Sequence, residues 1–356
     1  MGLLSRLTFA CFLAYAVCVA NGSTKGNGIQ TFELKNGNLS IKLTNYGAHL
    51  MSVIVPDRYG KLDDVLLGYD TAEEYITGKT TFAPILGRVG NRISNAQFTL
   101  NGITYKLDVN EGNNTLNSGR KGYSTVLWNA VEYRPNARVP RLVLSYNSFD
   151  GEQGFPGNLT VMATYELVQN GVLSITITAK ALNKATPVNL IFHPFWNLAG
   201  QASGDILSHE LQIFASKYTP VDAHHIPSGD ILPVKGTAYD FLTPRTIGSR
   251  ISEVPAGYDT SFVVDGRGGI SLAAVLSEKT TGRRLDMMIS QPGFQLYSGD
   301  NLNLTGKGGV RYNKYAGVAL EPQGYPNAVN QPKFPSQILY PGQIYKHFVV
   351  LKFSAA

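Results

Sequence analysis

Two residues combine a reactive type with a setting that suits proton transfer. Glu321 closes a small apolar run, Tyr315 to Leu320, that reads as a buried strand, and a loop rich in Pro, Asn and Gln follows it. A carboxylate at the end of a buried strand loses water on one side, so its pKa rises toward a value useful to a general base. A loop-capping or ion-paired Glu would show the same local pattern. His193 stands in the stretch Asn189-Leu190-Ile191-Phe192-His193-Pro194-Phe195-Trp196-Asn197-Leu198. Apolar surroundings depress a histidine pKa, leaving the ring neutral at rest and able to cycle a proton. A satisfied core histidine would also read this way.

Around this pair lie side chains suited to holding hydroxyl groups. Gly87-Arg88-Val89-Gly90-Asn91-Arg92-Ile93 places Asn91 and Arg92 in a turn-prone segment, where they can hydrogen-bond vicinal hydroxyls or serve the turn itself. Asp259, in Ala256-Gly257-Tyr258-Asp259-Thr260-Ser261-Phe262, can bind hydroxyls bidentately or cap a β-turn. Gln291 and Gln295 flank the Pro292-Gly293 turn, and Phe195 or Trp196 can offer a flat face to a sugar ring.

Other chemistries lack their signatures. The glycines at 87 and 90 have the wrong spacing for a dinucleotide fingerprint, and Gly306-Lys307-Gly308-Gly309 is not a phosphate-binding loop. No serine sits in a nucleophile elbow. His224 and His225 are adjacent, a poor chelating geometry, so no metal and no cofactor are expected. What is left is an acid, a base and a ring of hydroxyl binders. That set suits proton transfer on a neutral polar small molecule, such as opening and closing a hemiacetal ring.

Strands must position these groups. Leu39, Ile41 and Leu43 alternate with Ser40, Lys42 and Thr44; Leu173, Ile175 and Ile177 alternate with Ser174, Thr176 and Thr178. Arg141 to Tyr146, Ile270 to Leu276, Leu285 to Ile289 and His347 to Phe353 also read as strands. The turn Thr280-Thr281-Gly282-Arg283 between apolar runs predicts a hairpin. Helical periodicity is confined to a turn at Thr71 to Thr77. Many short strands without a linker or repeat predict an all-β fold, a single large domain over residues 23–356.

Residues 1–22 have the pattern of a secretory signal peptide: Arg6, an apolar run from Leu7 to Ala20, and small residues before Asn21. Cys11 and Cys18 are the chain's two cysteines and both lie in that segment, so the mature protein is expected to contain no disulfide. The net charge of +6 becomes +5 without Arg6, and the basic residues form no run, which argues against nucleic acid as a partner. A secreted, extracellular protein is expected (apoplastic in a plant), a monomer or homodimer with no membrane attachment after signal removal. Sequons at Asn38, Asn113, Asn158 and Asn303, with another at Asn21, are glycosylation candidates.

From about Gly28 to Phe353 the chain resembles the aldose 1-epimerases, or galactose mutarotases. The resemblance is carried by residues 87–93, His193 with Asn197-Leu198, Gly257-Tyr258-Asp259, Gln291-Pro292-Gly293, and Leu320-Glu321 with Asn327-Ala328-Val329-Asn330-Gln331-Pro332. Gly204-Asp205-Ile206-Leu207 and Thr219-Pro220-Val221-Asp222, with the signal segment, look most like secreted plant members. The resemblance implies a large antiparallel β-sandwich with the site on its open concave face. It further implies that Glu321 takes the proton from the C1 hydroxyl while His193 gives one to the ring oxygen. Asn91, Arg92, Asp259 and Gln291 would then hold the sugar hydroxyls.

Two departures stand out. Where the family usually has Leu-His-Gly-Gly, this chain reads Leu116-Asn117-Ser118-Gly119, so by the resemblance Asn117 takes the place of a sugar-binding histidine, and it cannot shuttle protons near neutral pH. Thr260-Ser261 replaces the usual His-Asn. An anomer-interconverting isomerase is expected. Its rivals are a repurposed isomerase or cyclase for a non-sugar metabolite and a sugar-binding protein without turnover.

Overall fold

The stretches of period two form strands, because alternate residues find a core on one side. In Val172–Ala181, Leu173, Ile175, Ile177 and Ala179 are buried while the residues between them are more open. The computed structural model describes residues 28–78, 80–266 and 268–356. Residues 1–22, which read in the sequence as a signal segment, lie outside the described residues, with Cys11, Cys18 and the Asn21 sequon.

Two large antiparallel sheets dominate. The first has nine strands, and its centre is Leu159–Val168, Val172–Ala181, Ile344–Ala355 and Arg283–Ile289. The second has six: Phe195–Trp196, Val318–Gln323, Gly293–Tyr297, Asp259–Val263, Lys217–Thr219 and Leu232–Pro233, in that order. One hydrophobic cluster takes Ile175, Ile177, Leu285 and Leu351 from the first sheet and Phe262, Phe294, Leu296 and Leu320 from the second. The core therefore lies between the sheets, as in a β-sandwich. A four-stranded sheet over residues 31–64 adds Leu34, Ile41, Leu43 and Val53 to the same cluster.

The expected hairpin forms: Ser271–Ser277 pairs with Arg283–Ile289 across a turn in which Gly282 has φ +71°. The Glu278 carboxylate closes it by accepting the Thr280 and Thr281 backbone N–H groups. The helical turn is Glu74–Thr77. It opens with a capping box: the Glu74 carboxylate accepts the Thr71 N–H (2.8 Å), and the Thr71 hydroxyl accepts the Glu74 N–H (3.3 Å). One boundary differs from the sequence reading. Glu321 does not follow its strand but lies inside Val318–Gln323, because Gly293–Tyr297 continues pairing through Gln295–Glu321 to Gly293–Gln323.

Candidate active site

The six-stranded sheet presents Val318, Leu320, Phe262, Phe294 and Leu296 to the core. Side chains alternate across a strand, so Ala319, Glu321 and Gln323 share the other face, with Gly293, Gln295 and Tyr297 on the next strand and Asp259, Ser261 and Val263 on the third. Register then sets a row: Ser261 stands opposite Gln295, and Gln295 opposite Glu321.

His193 reaches this face from a connection. Ile191–Phe192 pairs with Ile85–Leu86, Ala83 N–H donates to the His193 carbonyl (2.9 Å), and Phe195 then pairs with Ala319. These anchors hold the His193 Nε2 atom 3.1 Å from Glu321 Oε1. The His193 ring is tilted against Phe195, with centroids 5.2 Å apart. Its Nδ1 is buried and has no hydrogen-bond partner among the described residues.

Burial pushes the Glu321 carboxyl well above its ordinary range; the Asp259 carboxylate pushes the same way and the Arg92 cation pulls back. Burial pulls His193 down to about 4, against the upward influence of its own backbone carbonyl and of Asp259. Both shifts favour neutral partners. The two groups face each other across hydrogen-bond distance, so a proton can pass between them: neutral imidazole with carboxylic acid, or imidazolium with carboxylate.

A polar rim surrounds the pair. Arg92 makes a bidentate pair with Glu111 (Nε to Oε2 2.7 Å, Nη2 to Oε1 2.8 Å) and turns Nη1 toward Asp259 Oδ2 at 3.6 Å. Asp259 Oδ1 accepts from Gln295 Nε2, and Gln295 Oε1 accepts from Gln323 Nε2 (3.2 Å) and Asn91 Nδ2 (3.4 Å). Asn91 and Asn117 clamp each other. Asn117 Oδ1 accepts the Asn91 N–H (2.7 Å), and the Asn117 N–H returns to the Asn91 carbonyl (3.0 Å). Both are left-handed, at φ +61° and +50°, a conformation that asparagine tolerates better than most residues.

The structure thus brings Glu321, His193, Asn91, Arg92, Asn117 and Asp259 to one region. It does not bring Gln291, whose Nε2 donates to the Lys346 carbonyl at 3.4 Å because Gln291 precedes the strand and follows the other sheet. Gln295 holds the position on the site face. Phe195 and Trp196 are not sugar platforms, since both are buried in core packing, Trp196 edge-on to Phe353. Arg88, four residues from Arg92, is buried and donates to the Pro156, Gly157 and Phe149 carbonyls and to the Ser148 and Thr186 hydroxyls. Glu111, Gln323 and His225 were not singled out as site residues in the sequence. Among the described residues no group of three His, Cys, Asp or Glu is placed to hold a metal.

Residues 30–352 match the model of the aldose 1-epimerase family. The chain belongs to the aldose 1-epimerase family. Among its relatives, galactose mutarotase of Bos taurus is 39% identical over 92% of this chain and 95% of that protein. Aldose 1-epimerase of Escherichia coli is 32% identical over 90% and 93%. The crystal structure of an aldose epimerase homologue from C. elegans superimposes with a TM-score of 0.86 at 27% identity, over 92% of this chain and all of that one. Galactose 1-epimerase from Lactobacillus acidophilus gives a TM-score of 0.78 at 26% identity, over 92% and 99%. As an aldose 1-epimerase family member the protein is an isomerase with the family's all-β sandwich.

Proposed function

We propose that the protein interconverts the α and β anomers of aldohexoses such as galactose and glucose, with Glu321 and His193 as its proton-transferring pair. The observation that carries this reading is the 3.1 Å approach of His193 Nε2 to Glu321 Oε1 on a buried sheet face. The pair rests neutral, with its one proton on Glu321; a hemiacetal set against it reacts with the form in which that proton has passed to His193, giving imidazolium and carboxylate. Glu321 takes the proton from the C1 hydroxyl as the imidazolium of His193 protonates the ring oxygen. The bond between C1 and the ring oxygen breaks, leaving an aldehyde, a free hydroxyl, a carboxylic acid and a neutral imidazole. After rotation about the C1–C2 bond, His193 recovers the hydroxyl proton, the oxygen attacks the other face of the aldehyde, and Glu321 returns its proton to the C1 oxygen. Protons balance without exchange with solvent. Each positioned proton transfer contributes roughly 10²–10⁴-fold.

Polarimetry on freshly dissolved α-D-galactose and α-D-glucose tests this. The protein should speed the decay to equilibrium rotation over the buffer rate, and Glu321→Gln should not. A parent no faster than buffer on either sugar would overturn the reading and redirect the search to non-sugar carbonyl compounds.

We propose in addition that the chain is exported and carries N-glycans. Residues 1–22 support export, and Asn38, Asn113 and Asn303 are exposed while Asn158 is half-buried. Expression in a secreting eukaryotic host should yield a protein whose mass falls on endoglycosidase treatment; an unchanged mass would remove the glycan proposal.

A further inference from the structure

We propose that His225, on the loop between Lys217–Thr219 and Leu232–Pro233, is a substrate-binding residue that shares one sugar hydroxyl with Asp259. The inference rests on the anomerase reading of the site and extends it to a side chain from a separate loop.

His225 Nδ1 lies 3.3 Å from Asp259 Oδ2, the oxygen that Arg92 Nη1 approaches at 3.6 Å. The first contact is within ion-pair range but off the line of a hydrogen bond: His225 Nδ1 is shielded from solvent and has no aligned partner. A buried polar atom whose near neighbour among the described residues is out of line for a hydrogen bond requires an explanation. Here a ligand supplies one. A hydroxyl both donates and accepts, so one hydroxyl at this point donates to Asp259 Oδ2 and accepts from the His225 ring or from Arg92. Asp259 Oδ1 is already taken by Gln295, which leaves Oδ2 as the oxygen that faces the ligand.

The loop is built to hold the ring there. His225 has φ +57°, an unusual backbone for a histidine. Asp222 fixes it: its Oδ1 accepts the N–H groups of His224 (2.8 Å) and Ile226 (3.0 Å), and its carbonyl accepts the His225 N–H at 3.0 Å. Gln331 Nε2 donates to the Pro227 carbonyl at 3.0 Å. A side chain at Gly229 (φ +94°) would meet Gln331 Oε1 at 2.5 Å, so this glycine lets the loop settle there. Gln331 belongs to the segment that follows Glu321, so the His225 loop is docked on the backbone that leads away from the catalytic strand. The chain thus has a histidine at the rim from a position well separated in sequence from Asn117.

The test uses the full mature chain. Calorimetry first establishes whether galactose and glucose bind Glu321→Gln, whose turnover should be slowed by roughly 10²–10⁴-fold. In that variant the ring ¹H–¹⁵N signals of His225, assigned by their loss in His225→Leu, should shift on saturation with sugar. In turnover, His225→Leu should raise KM about 10-fold, the worth of one hydrogen bond, with kcat within about twofold. His225→Gln, which keeps a donor, should recover most of that loss. Melting temperatures should match the parent. If sugar binds and the His225 signals stay still, or if KM is unchanged in His225→Leu, the proposal is overturned while the anomerase reading stands. A KM rise accompanied by a lower melting temperature and no recovery in His225→Gln would make His225 a structural residue and also overturn it. If neither sugar binds and the parent is no faster than buffer in polarimetry, the anomerase reading and this extension of it both fail.

Discussion

At the floor of the site, His193 and Glu321 face each other with side-chain exposures of 17% and 6%, and among the described residues the Glu321 carboxyl has no polar contact other than the one to His193. At the rim, Arg92, Glu111, Asp259 and His225 meet with up to 39% exposure and a connected set of hydrogen bonds and ion pairs. The floor obtains its chemistry from missing water. Burial drives both members toward neutrality, as it lowers His209 and His347, outside this group, to about 4. The rim obtains its order from opposed charges in reach of solvent, where each pair is weak and geometry matters more than strength. On the proposed reading, the division puts turnover on the floor and sugar affinity on the rim.

The sharpest test removes floor groups without changing their shape. Glu321→Gln and His193→Asn should each lower kcat by roughly 10²–10⁴-fold with KM little changed, measured by polarimetry. The double variant should be close to the worse single one, because the two act as a unit. Glu321→Gln also tests the burial argument. The folded-state pKa of Glu321 lies above its unfolded value, so its contribution to stability is present below that unfolded value and is lost as pH rises through the raised one. Thermal melts of Glu321→Gln should therefore gain on the parent as pH rises toward neutrality. A uniform loss at all pH values would show that the carboxyl is held by contacts that burial does not account for.

Charge is the one route by which the rim should reach the floor. The Asp259 carboxylate raises the Glu321 pKa and the Arg92 cation lowers it. Activity needs one proton on the floor pair, so it should fall on the alkaline side as Glu321 loses its proton. Asp259→Asn should move that limb to lower pH, and Arg92→Leu should move it to higher pH. Both should raise KM by about 10–100-fold, the worth of a charged hydrogen bond. Limbs that shift in the same direction would break the electrostatic account even if KM rises as expected.

Asn117 comes next in size. Its side chain clamps the Asn91 N–H, and its backbone is left-handed. Asn117→Ala should lower stability by about 1–2 kcal/mol through the lost bond and the strained backbone, read by urea unfolding, and should raise KM a few-fold. A kcat loss as large as that of His193→Asn would place Asn117 on the floor instead.

Strand alternation was legible along the chain because one face of each strand meets the core, and Glu321 and His193 were legible by type and apolar setting. Gln291 was misplaced for a physical reason. Two glutamines flank the same Pro-Gly turn, and only pairing with the strand of Glu321 decides that Gln295 faces the site while Gln291 turns to Lys346. Phe195 and Trp196 looked available because aromatic residues read alike in a core and in a binding face. Glu111 gave no signal: its turn, Asn110 to Asn114, is brought to Arg92 by the short Arg92–Ile93 and Thr115–Leu116 pairing and by the Asn95 N–H donated to Asn114 Oδ1. His225, adjacent to His224, reads in the sequence only as a poor chelator, and nothing local there shows its reach toward Asp259.

Glu111 is the smallest and most discriminating lever on the floor and rim division. It holds two of the Arg92 nitrogens at 2.7 and 2.8 Å yet is one-third exposed, so the pair is worth about as much as other half-open ion pairs, roughly 0.2–1 kcal/mol. Glu111→Gln keeps a hydrogen-bond acceptor but removes the charge that steers the guanidinium. Arg92 should then sample more orientations and hold the sugar less firmly, raising KM about two- to fivefold with kcat unchanged. Added salt screens the ion pair in the parent, so the difference in KM between parent and variant should narrow at high ionic strength. A fall in kcat with KM constant would mean that Arg92 placement governs the proton transfers themselves, and the separation of turnover from affinity would fail at the residue that links the two regions.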